Sequence, residues 1–204
     1  STIPLVPPCI WFPYGKMSQS ASEPRWDTTA GKFGPFAGQC FVGDQTKSNI
    51  MRVALEKVNG RYQGACFFFR SGFQCGINRL VFGPDGSLYA GMTNRGWGSV
   101  GGSPYGLQRL VYTGDLPFEI YSMNLTKTGF DLTFTKPLDP AIVTQLSRLP
   151  HEPDAPARHS DSGFAHQPDA PARDADKKAP ASHFSLQSYT YNYWSTYGSP
   201  EIDR

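Results

Sequence analysis

A short apolar segment bounded by glycines occurs twice in the chain, and this repeat constrains the fold more than any other sequence feature. Residues 38–43 have the sequence GQCFVG and residues 86–91 have GSLYAG, an offset of 48 residues, and a Gly-Pro pair precedes each copy. Four-stranded units that recur at roughly 40–50 residues are typical of β-propellers. The repeat therefore predicts two related sheets, although two copies are also compatible with chance or with a β-sandwich.

Turn signals separate short strand-like segments along the first part of the chain. Asn59-Gly60 is a strong hairpin signal because both residues tolerate a positive φ, and residues 83–86 (GPDG) predict a second tight turn. A short helical turn is predicted at 141–149. We expect strands over the apolar or alternating segments 39–43, 49–58, 61–69, 79–82, 87–92, 107–112, 117–125 and 129–135.

The last two of these segments have the alternation typical of a sandwich. In the second of them, Phe130, Leu132 and Phe134 alternate with polar residues. Alternate side chains of a strand point to opposite faces, so these three are expected to face inward.

Composition and charge exclude several classes of protein. The chain has 204 residues with 21 glycines and 18 prolines, more helix-breaking residues than a helical bundle carries. The net charge of +2 is too small for a polyanion binder, and clustered Lys and Arg are lacking, so no nucleic-acid partner is expected. The longest apolar run, 65–69, is too short for membrane insertion. The chain starts at Ser1 without a signal-peptide pattern and looks processed or cut from a longer protein.

The positions of histidine and cysteine restrict the chemistry of residues 1–150. All four histidines lie beyond this part, so a Ser-His-Asp triad, a Cys-His dyad or a His-ligated metal cannot be built within it alone. The cysteines, at 9, 40, 66 and 75, form no C-x-x-C pair. We expect most of them to be free, buried thiols, with a Cys66–Cys75 disulfide as the alternative.

Residues 150–182 differ from the rest in composition. HEPDAPAR at 151–158 recurs as HQPDAPAR at 166–173, and Phe164 is the only large apolar side chain of the segment. Such a segment cannot bury enough apolar surface to offset the entropy of ordering it, so a disordered or extended insert is predicted. Its histidines suggest either metal binding or, as we favour, a solvated repeat in which they were duplicated.

Several segments resemble the glucose/sorbosone dehydrogenase-type (quinoprotein-like) β-propeller. The residues concerned are GPFAGQCFVGDQ at 34–45 and FGPDGSLY at 82–89, followed by TNRGWG at 93–98. The chain is similar to the C-terminal part of that propeller in large secreted bacterial multidomain proteins, where an Ig-like module follows. FDLTFTKPLDPA at 130–141 resembles this module, which resumes at 182–194.

The resemblance implies an all-β chain: a partial β-propeller of about two four-stranded blades, followed by an interrupted Ig-like β-sandwich segment. A propeller closes with at least four blades, so a fragment is expected, with the rest of the propeller as its partner. The implied domains are C-terminal propeller blades (1–113), first strands of the Ig-like module (114–146), a disordered PDAPAR-repeat insert (147–181) and a returning Ig-like strand (182–204).

The implied function is that of a fragment of a secreted or periplasmic protein resembling sugar and sorbosone dehydrogenases, catalytically incomplete by itself. Intact relatives hold pyrroloquinoline quinone and calcium and use a histidine base, which residues 1–150 lack. The alternative is a non-catalytic propeller and Ig-like module that binds carbohydrate or protein at the cell surface. A sugar or glycan is the ligand expected for the first case and one of the two expected for the alternative.

Four residues are candidates for cofactor or ligand binding: Asn94, Arg95, Trp97 and Asp44. Arg95 lies in a glycine-rich loop after a predicted strand and is suited to pair with the carboxylates of the quinone. Asn94 and Trp97 lie beside it, and Asp44 ends the matching strand of the previous blade. The structural alternatives are that Trp97 packs between blades, Arg95 pairs with a carboxylate, and Asp44 caps a turn.

Overall fold

The computed structural model describes residues 6, 8–146, 189–191 and 201–203. Its contacts divide the chain into two compact units, one of residues 1–137 and 189–204 and the other of residues 138–188. The expected all-β class is confirmed, and the described residues contain no helix long and apolar enough to cross a membrane. The elements are β1 (Ala21–Trp26), β2 (Cys40–Asp44), β3 (Asn49–Val58), β4 (Arg61–Arg70), β5 (Ile77–Phe82), β6 (Leu88–Thr93), β7 (Tyr105–Leu110), β8 (Ile120–Leu125), β9 (Phe130–Phe134), α1 (Pro140–Leu146), β10 (Tyr189–Tyr191) and β11 (Glu201–Asp203).

Strands β1 to β4 form an antiparallel sheet in chain order, called the first sheet here. Its longest strands, β3 and β4, are joined by Asn59 and Gly60, whose φ values are 49° and 81°. Two central residues at positive φ are the mark of a type I′ turn, whose twist matches that of paired strands. The hairpin predicted from this dipeptide is confirmed.

Strands β5, β6 and β7 form an antiparallel second sheet. β2 and β6 contain the repeated segments, and each is the second strand of its sheet, so the two copies occupy equivalent positions. Within the described residues the second sheet has three strands, against the four expected of a blade.

Glycine is required at position 86, just before β6, because a Cβ there would lie 2.4 Å from the Cβ of Lys32.

The first and second sheets pack together around an aromatic core. The Phe33 ring meets those of Phe41 and Phe82 edge-on, with ring centres 5.5 and 5.2 Å apart, an arrangement that aromatic pairs favour. The buried residues of this inner core are Phe33, Phe36, Phe41, Ile50, Phe73, Cys75, Ile77, Leu80, Leu88, Ala90 and Met92.

The other face of the first sheet is covered by an N-terminal segment. Ile10, Phe12 and Met17 of this segment pack against the sheet. All five residues of β2 are therefore buried, which explains why this strand is almost continuously apolar and does not alternate. The buried residues under the N-terminal segment include Cys40, Val42, Met51 and Val53.

Strands β8 and β9 form a two-stranded antiparallel third sheet, which contacts β3 and β4. The prediction that Phe130 and Leu132 face inward is wrong, because their side chains are 45% and 41% exposed. Alternation buries one face of a strand only where another layer covers it, and the described residues place no such layer over these two side chains. Phe134 is half-buried and stacks on Phe118 with ring centres 5.5 Å apart.

A fully buried arginine joins the first and third sheets. Arg52 on β3 donates hydrogen bonds to the backbone carbonyls of Ile120 and Tyr121 and to Oε1 of Gln39. Burial lowers the pKa of the guanidinium to about 10, while attraction to Glu119 opposes the shift. The group stays charged at neutral pH, so its hydrogen bonds are of the stronger, charge-assisted kind.

The predicted domain boundary after residue 113 falls inside the first compact unit. Strands β10 and β11 pair antiparallel within the predicted returning segment, 182–204. The predicted insert, 147–181, lies outside the described residues. The Ig-like assignment stays a prediction.

All four cysteines are free, as expected for most of them, and the alternative Cys66–Cys75 disulfide is wrong. Cys40 and Cys75 are buried and Cys9 is exposed. Burial raises the pKa of the Cys66 thiol to about 11. Three of the four thus pack largely as apolar side chains.

Candidate functional site

A cavity of about 720 Å³ lies where β1 begins and where β2 and β6 end. Three of the four residues predicted from the sequence line it: Asn94, Arg95 and Trp97. The cavity therefore lies at the ends of strands. The other lining residues are small or polar and are Gln19, Ser20, Ala21, Ser22, Gln45, Thr46, Asn78 and Thr93.

The loop after β6 presents Arg95 from a strained turn. The Trp97 N–H donates to the Asn94 carbonyl at 2.6 Å, and the Gly96 N–H donates to Oδ1 of Asn94 at 3.2 Å. Arg95 and Gly96 have φ values of 44° and 83°, so both central residues are left-handed, as in a type I′ turn. A left-handed conformation costs a residue other than glycine roughly 1–2 kcal/mol. The surrounding structure must therefore hold Arg95 in place.

Two hydrogen bonds fasten the rest of this loop to the turn between β2 and β3. The Val100 N–H donates to the Thr46 carbonyl at 2.9 Å, and the Gly101 N–H donates to Oγ of Ser48 at 3.0 Å. Ser48 is itself buried. The loop and the β2–β3 turn thus form one connected wall of the cavity.

The side chains of Arg95 and Trp97 are accessible to a ligand. Trp97 is 73% exposed, which argues against the alternative that it packs between sheets. Arg95 is also exposed, and its guanidinium makes no hydrogen bond or ion pair with the part of the chain that the structure describes. The alternative that Arg95 pairs with a carboxylate has no support among these residues.

Gln45, which the sequence analysis did not single out, is part of the wall. Its N–H donates to the Ser20 carbonyl at 2.9 Å, and a Cβ on Gly76 would lie 2.2 Å from its carbonyl oxygen, so its backbone is closely packed. Its Nε2 atom has no hydrogen-bond partner among the described residues, but it is buried against Gly76, where a Cβ would lie 2.8 Å from it, and a ligand in the cavity does not reach it.

Asp44 does not line the cavity but fixes two of the segments that do. Its carboxylate is fully buried, and Oδ2 accepts hydrogen bonds from the N–H groups of Gln19 and Ser20 at 2.8 Å each. The Ser18 hydroxyl also donates to Oδ2, and the Lys47 N–H donates to Oδ1 at 2.7 Å. These contacts are the backbone-capping role weighed as the alternative. Binding by Asp44 itself stays a prediction.

The lining residues are suited to binding and not to acid–base catalysis. Arg95 is the only ionisable side chain among them, and they include no His, Asp, Glu, Cys, Lys or Tyr to act as a general acid or base. Arg95 is suited to pair with the carboxylates of pyrroloquinoline quinone, and Trp97 is suited to stack on its rings. The lining offers no carboxylate for calcium, however, and no group of three His, Cys, Asp or Glu among the described residues could hold a metal ion. The cavity therefore does not fit the quinone–calcium pair that the resemblance implies.

Comparisons with known proteins give little beyond this geometry. No family model matches the chain, and no curated protein matches it. One solved structure that matches is described as an oxidoreductase (glucose dehydrogenase) from Thermus thermophilus, at 31% sequence identity and a TM-score of 0.31. The match covers 37% of this chain and 24% of that chain, so it spans about a quarter of the other protein.

Proposed function

We propose that this chain is part of a secreted or periplasmic propeller protein resembling the sugar dehydrogenases, and that its cavity binds a carbohydrate. The observation that carries the binding role is the exposed Trp97 on a wall of amide and hydroxyl side chains. An indole face packs against the C–H groups of a sugar ring, while amides and hydroxyls exchange hydrogen bonds with its hydroxyls. The volume of about 720 Å³ lies in the range of small-molecule sites.

The arrangement of the sheets supports the propeller part of this proposal. The repeated segments occupy equivalent strands, and β1 and β2 of the first sheet contact β5 of the second, as neighbouring blades would. The outer face of the second sheet exposes Val81, Tyr105 and Leu107 by 53%, 74% and 69%. The register of the strands puts Arg79 and Arg109 on the same face, which is therefore apolar with two charged side chains. A further sheet, from the rest of the propeller, would cover it.

An oxidoreductase role for a longer parent protein is the second candidate. The loop that carries the distinctive part of the resemblance, residues 93–98, also forms the cavity wall. Sugar oxidation requires a base, and the lining residues include none, so other parts of the protein would have to supply it. We expect this chain alone, supplied with the quinone and calcium, to give no sugar-dependent reduction of a dye. Dye reduction by the chain alone would contradict its catalytic incompleteness.

A glycan array tests the binding role. We expect the full chain to bind a subset of glycans, and Trp97→Ala to abolish this binding because the platform for the sugar ring is removed. Trp26→Ala is the matched control, since Trp26 is 47% exposed but ends β1 away from the cavity. No glycan above background, or equal losses in both variants, would overturn the proposal.

A further inference from the structure

Among the described residues, the cavity wall carries one positive charge and no negative one. Arg95 is its only ionisable residue, and the guanidinium has no partner in the described part of the chain. The buried carboxylate of Asp44 is bonded to its own chain and does not line the cavity. Four other arginines, by contrast, lie within ion-pair distance of a carboxylate: Arg25, Arg70, Arg79 and Arg109.

The guanidinium of Arg95 donates hydrogen bonds and cannot accept them, so a ligand group that meets it has to be an acceptor. An ionised carboxylate is rich in acceptor sites and has no donor that would conflict with the guanidinium.

The turn that carries Arg95 is built at a conformational cost. Its φ of 44° is one that arginine disfavours and that asparagine or glycine would adopt easily. Such strain is often found where a side chain has to be presented in one orientation. Trp97 is the last residue of the same turn, so the guanidinium of Arg95 and the indole of Trp97 reach the cavity from one four-residue turn.

From these observations we infer that the cavity selects a sugar that carries a carboxylate, such as a hexuronate, an inference that rests on the proposed carbohydrate binding. The sugar ring packs on Trp97, and its carboxylate accepts hydrogen bonds from the planar guanidinium of Arg95, which matches it in shape. The selection is for a charged sugar over the neutral hexose of the same size.

Nuclear magnetic resonance titration of the full chain tests this selection. The chain has four tryptophans, and Trp97→Phe assigns the indole N–H signal of Trp97. We would titrate D-glucuronate, D-glucose and acetate and follow this signal. We expect D-glucuronate to bind about tenfold or more tightly than D-glucose, in keeping with one charge-assisted contact, and acetate to bind more weakly than D-glucuronate.

Two variants locate the origin of the preference. Arg95→Gln should remove the difference between D-glucuronate and D-glucose, whereas Arg61→Gln, at the start of β4, should preserve it. Equal binding of the two sugars to the unmodified chain, or a preference that survives Arg95→Gln, would overturn the inference and leave carbohydrate binding standing. Acetate binding as tight as D-glucuronate would show an anion site with no use for the sugar ring. No response of Trp97 to either sugar would overturn both proposals.

Discussion

The guanidinium carbon of Arg52 lies 4.0 Å from the centre of the Phe36 ring, so that a cation rests on an aromatic face in the interior of the protein. The Phe67 ring lies on the same group, with its centre at 4.5 Å. A planar guanidinium can stack on aromatic rings and still donate hydrogen bonds in its own plane, which the compact ammonium of lysine cannot do. The contact between the first and third sheets therefore depends on arginine and not merely on positive charge.

Replacing Arg52 with lysine is expected to lower the free energy of unfolding by about 2–3 kcal/mol, because buried carbonyls lose their donors and the stacking is lost. Urea unfolding measures the difference. Arg61→Lys, at an exposed position of β4, is the control and should change stability by less than about 0.5 kcal/mol. An Arg52→Lys variant as stable as the unmodified chain would show that the first and third sheets are joined in another way.

Glu56 makes a second, pH-dependent connection between β3 and β8. A hydrogen bond from the Gln63 amide, with others from the Leu125 N–H at 3.1 Å and the Asn124 amide at 3.2 Å, lowers the pKa of the Glu56 carboxyl. A carboxyl with a lowered pKa stabilises the fold above its ordinary pKa, and this contribution is lost as the pH falls through the lowered value. Acid should therefore weaken the attachment of the third sheet.

We expect Glu56→Gln to be less stable than the unmodified chain at neutral pH. The difference should narrow as the pH falls below the ordinary pKa of a glutamate and through the lowered pKa of the Glu56 carboxyl, where that carboxyl becomes protonated. Urea unfolding at several pH values measures this convergence. Asp131→Asn removes an exposed carboxylate of β9 and should leave the stability unchanged. A Glu56→Gln deficit that is constant over this pH range would exclude the carboxylate as its cause.

Arg95→Asn should have opposite effects on stability and on binding. Asparagine adopts the left-handed conformation more easily than arginine, so the free energy of unfolding should rise by about 0.5–1 kcal/mol. The reciprocal control is Asn59→Arg in the β3–β4 turn, whose φ of 49° is close to the 44° of Arg95, and this change should destabilise the protein. Thermal unfolding measures the stability of both variants. The magnetic resonance titration with D-glucuronate measures the loss of binding expected for Arg95→Asn. A less stable Arg95→Asn protein would mean that the arginine side chain, not its backbone, decides stability there.

The cysteines should differ sharply in reactivity. Cys9 is exposed, whereas burial raises the pKa of Cys66 to about 11, so little of the reactive thiolate of Cys66 forms at neutral pH. A colorimetric thiol reagent should therefore modify one cysteine rapidly in the native protein, and Cys9→Ser should remove that phase. Cys66→Ser should leave this rapid phase unchanged.

Because a raised thiol pKa favours folding only while the thiol is protonated, the contribution of Cys66 to stability should fall as the pH rises from about 9 through about 11.

Local sequence signals predicted strands β2 to β9 and three of the residues that line the cavity. Asn59-Gly60 fixed the position of a hairpin because a type I′ turn demands such residues. Asn94, Arg95 and Trp97 could be proposed together because they lie in one short loop after a strand, so the fold did not have to bring them together. Predictions of this kind need only the conformational preferences of neighbouring residues.

Features that depend on which layer covers a strand could not be predicted in this way. The alternation of β3 gave no sign that Arg52 is buried, because its burial follows from the packing of the third sheet over that strand. For the same reason Phe130 and Leu132 looked like core residues and are exposed. Gln45 became part of the site only through the cavity, and Asp44 proved to hold the wall through contacts 24 to 26 residues away along the chain.

The N-terminal segment that covers the first sheet makes the two outer faces of the packed first and second sheets different. Ile10, Phe12 and Met17 occupy the face of the first sheet that points away from the second. An additional sheet arriving on that side would meet this segment before it met β2 or β3, whereas the outer face of the second sheet exposes Val81 and Leu107 directly. A further sheet could therefore pack directly on the strands of the second sheet, whereas on the other side it would pack on the N-terminal segment.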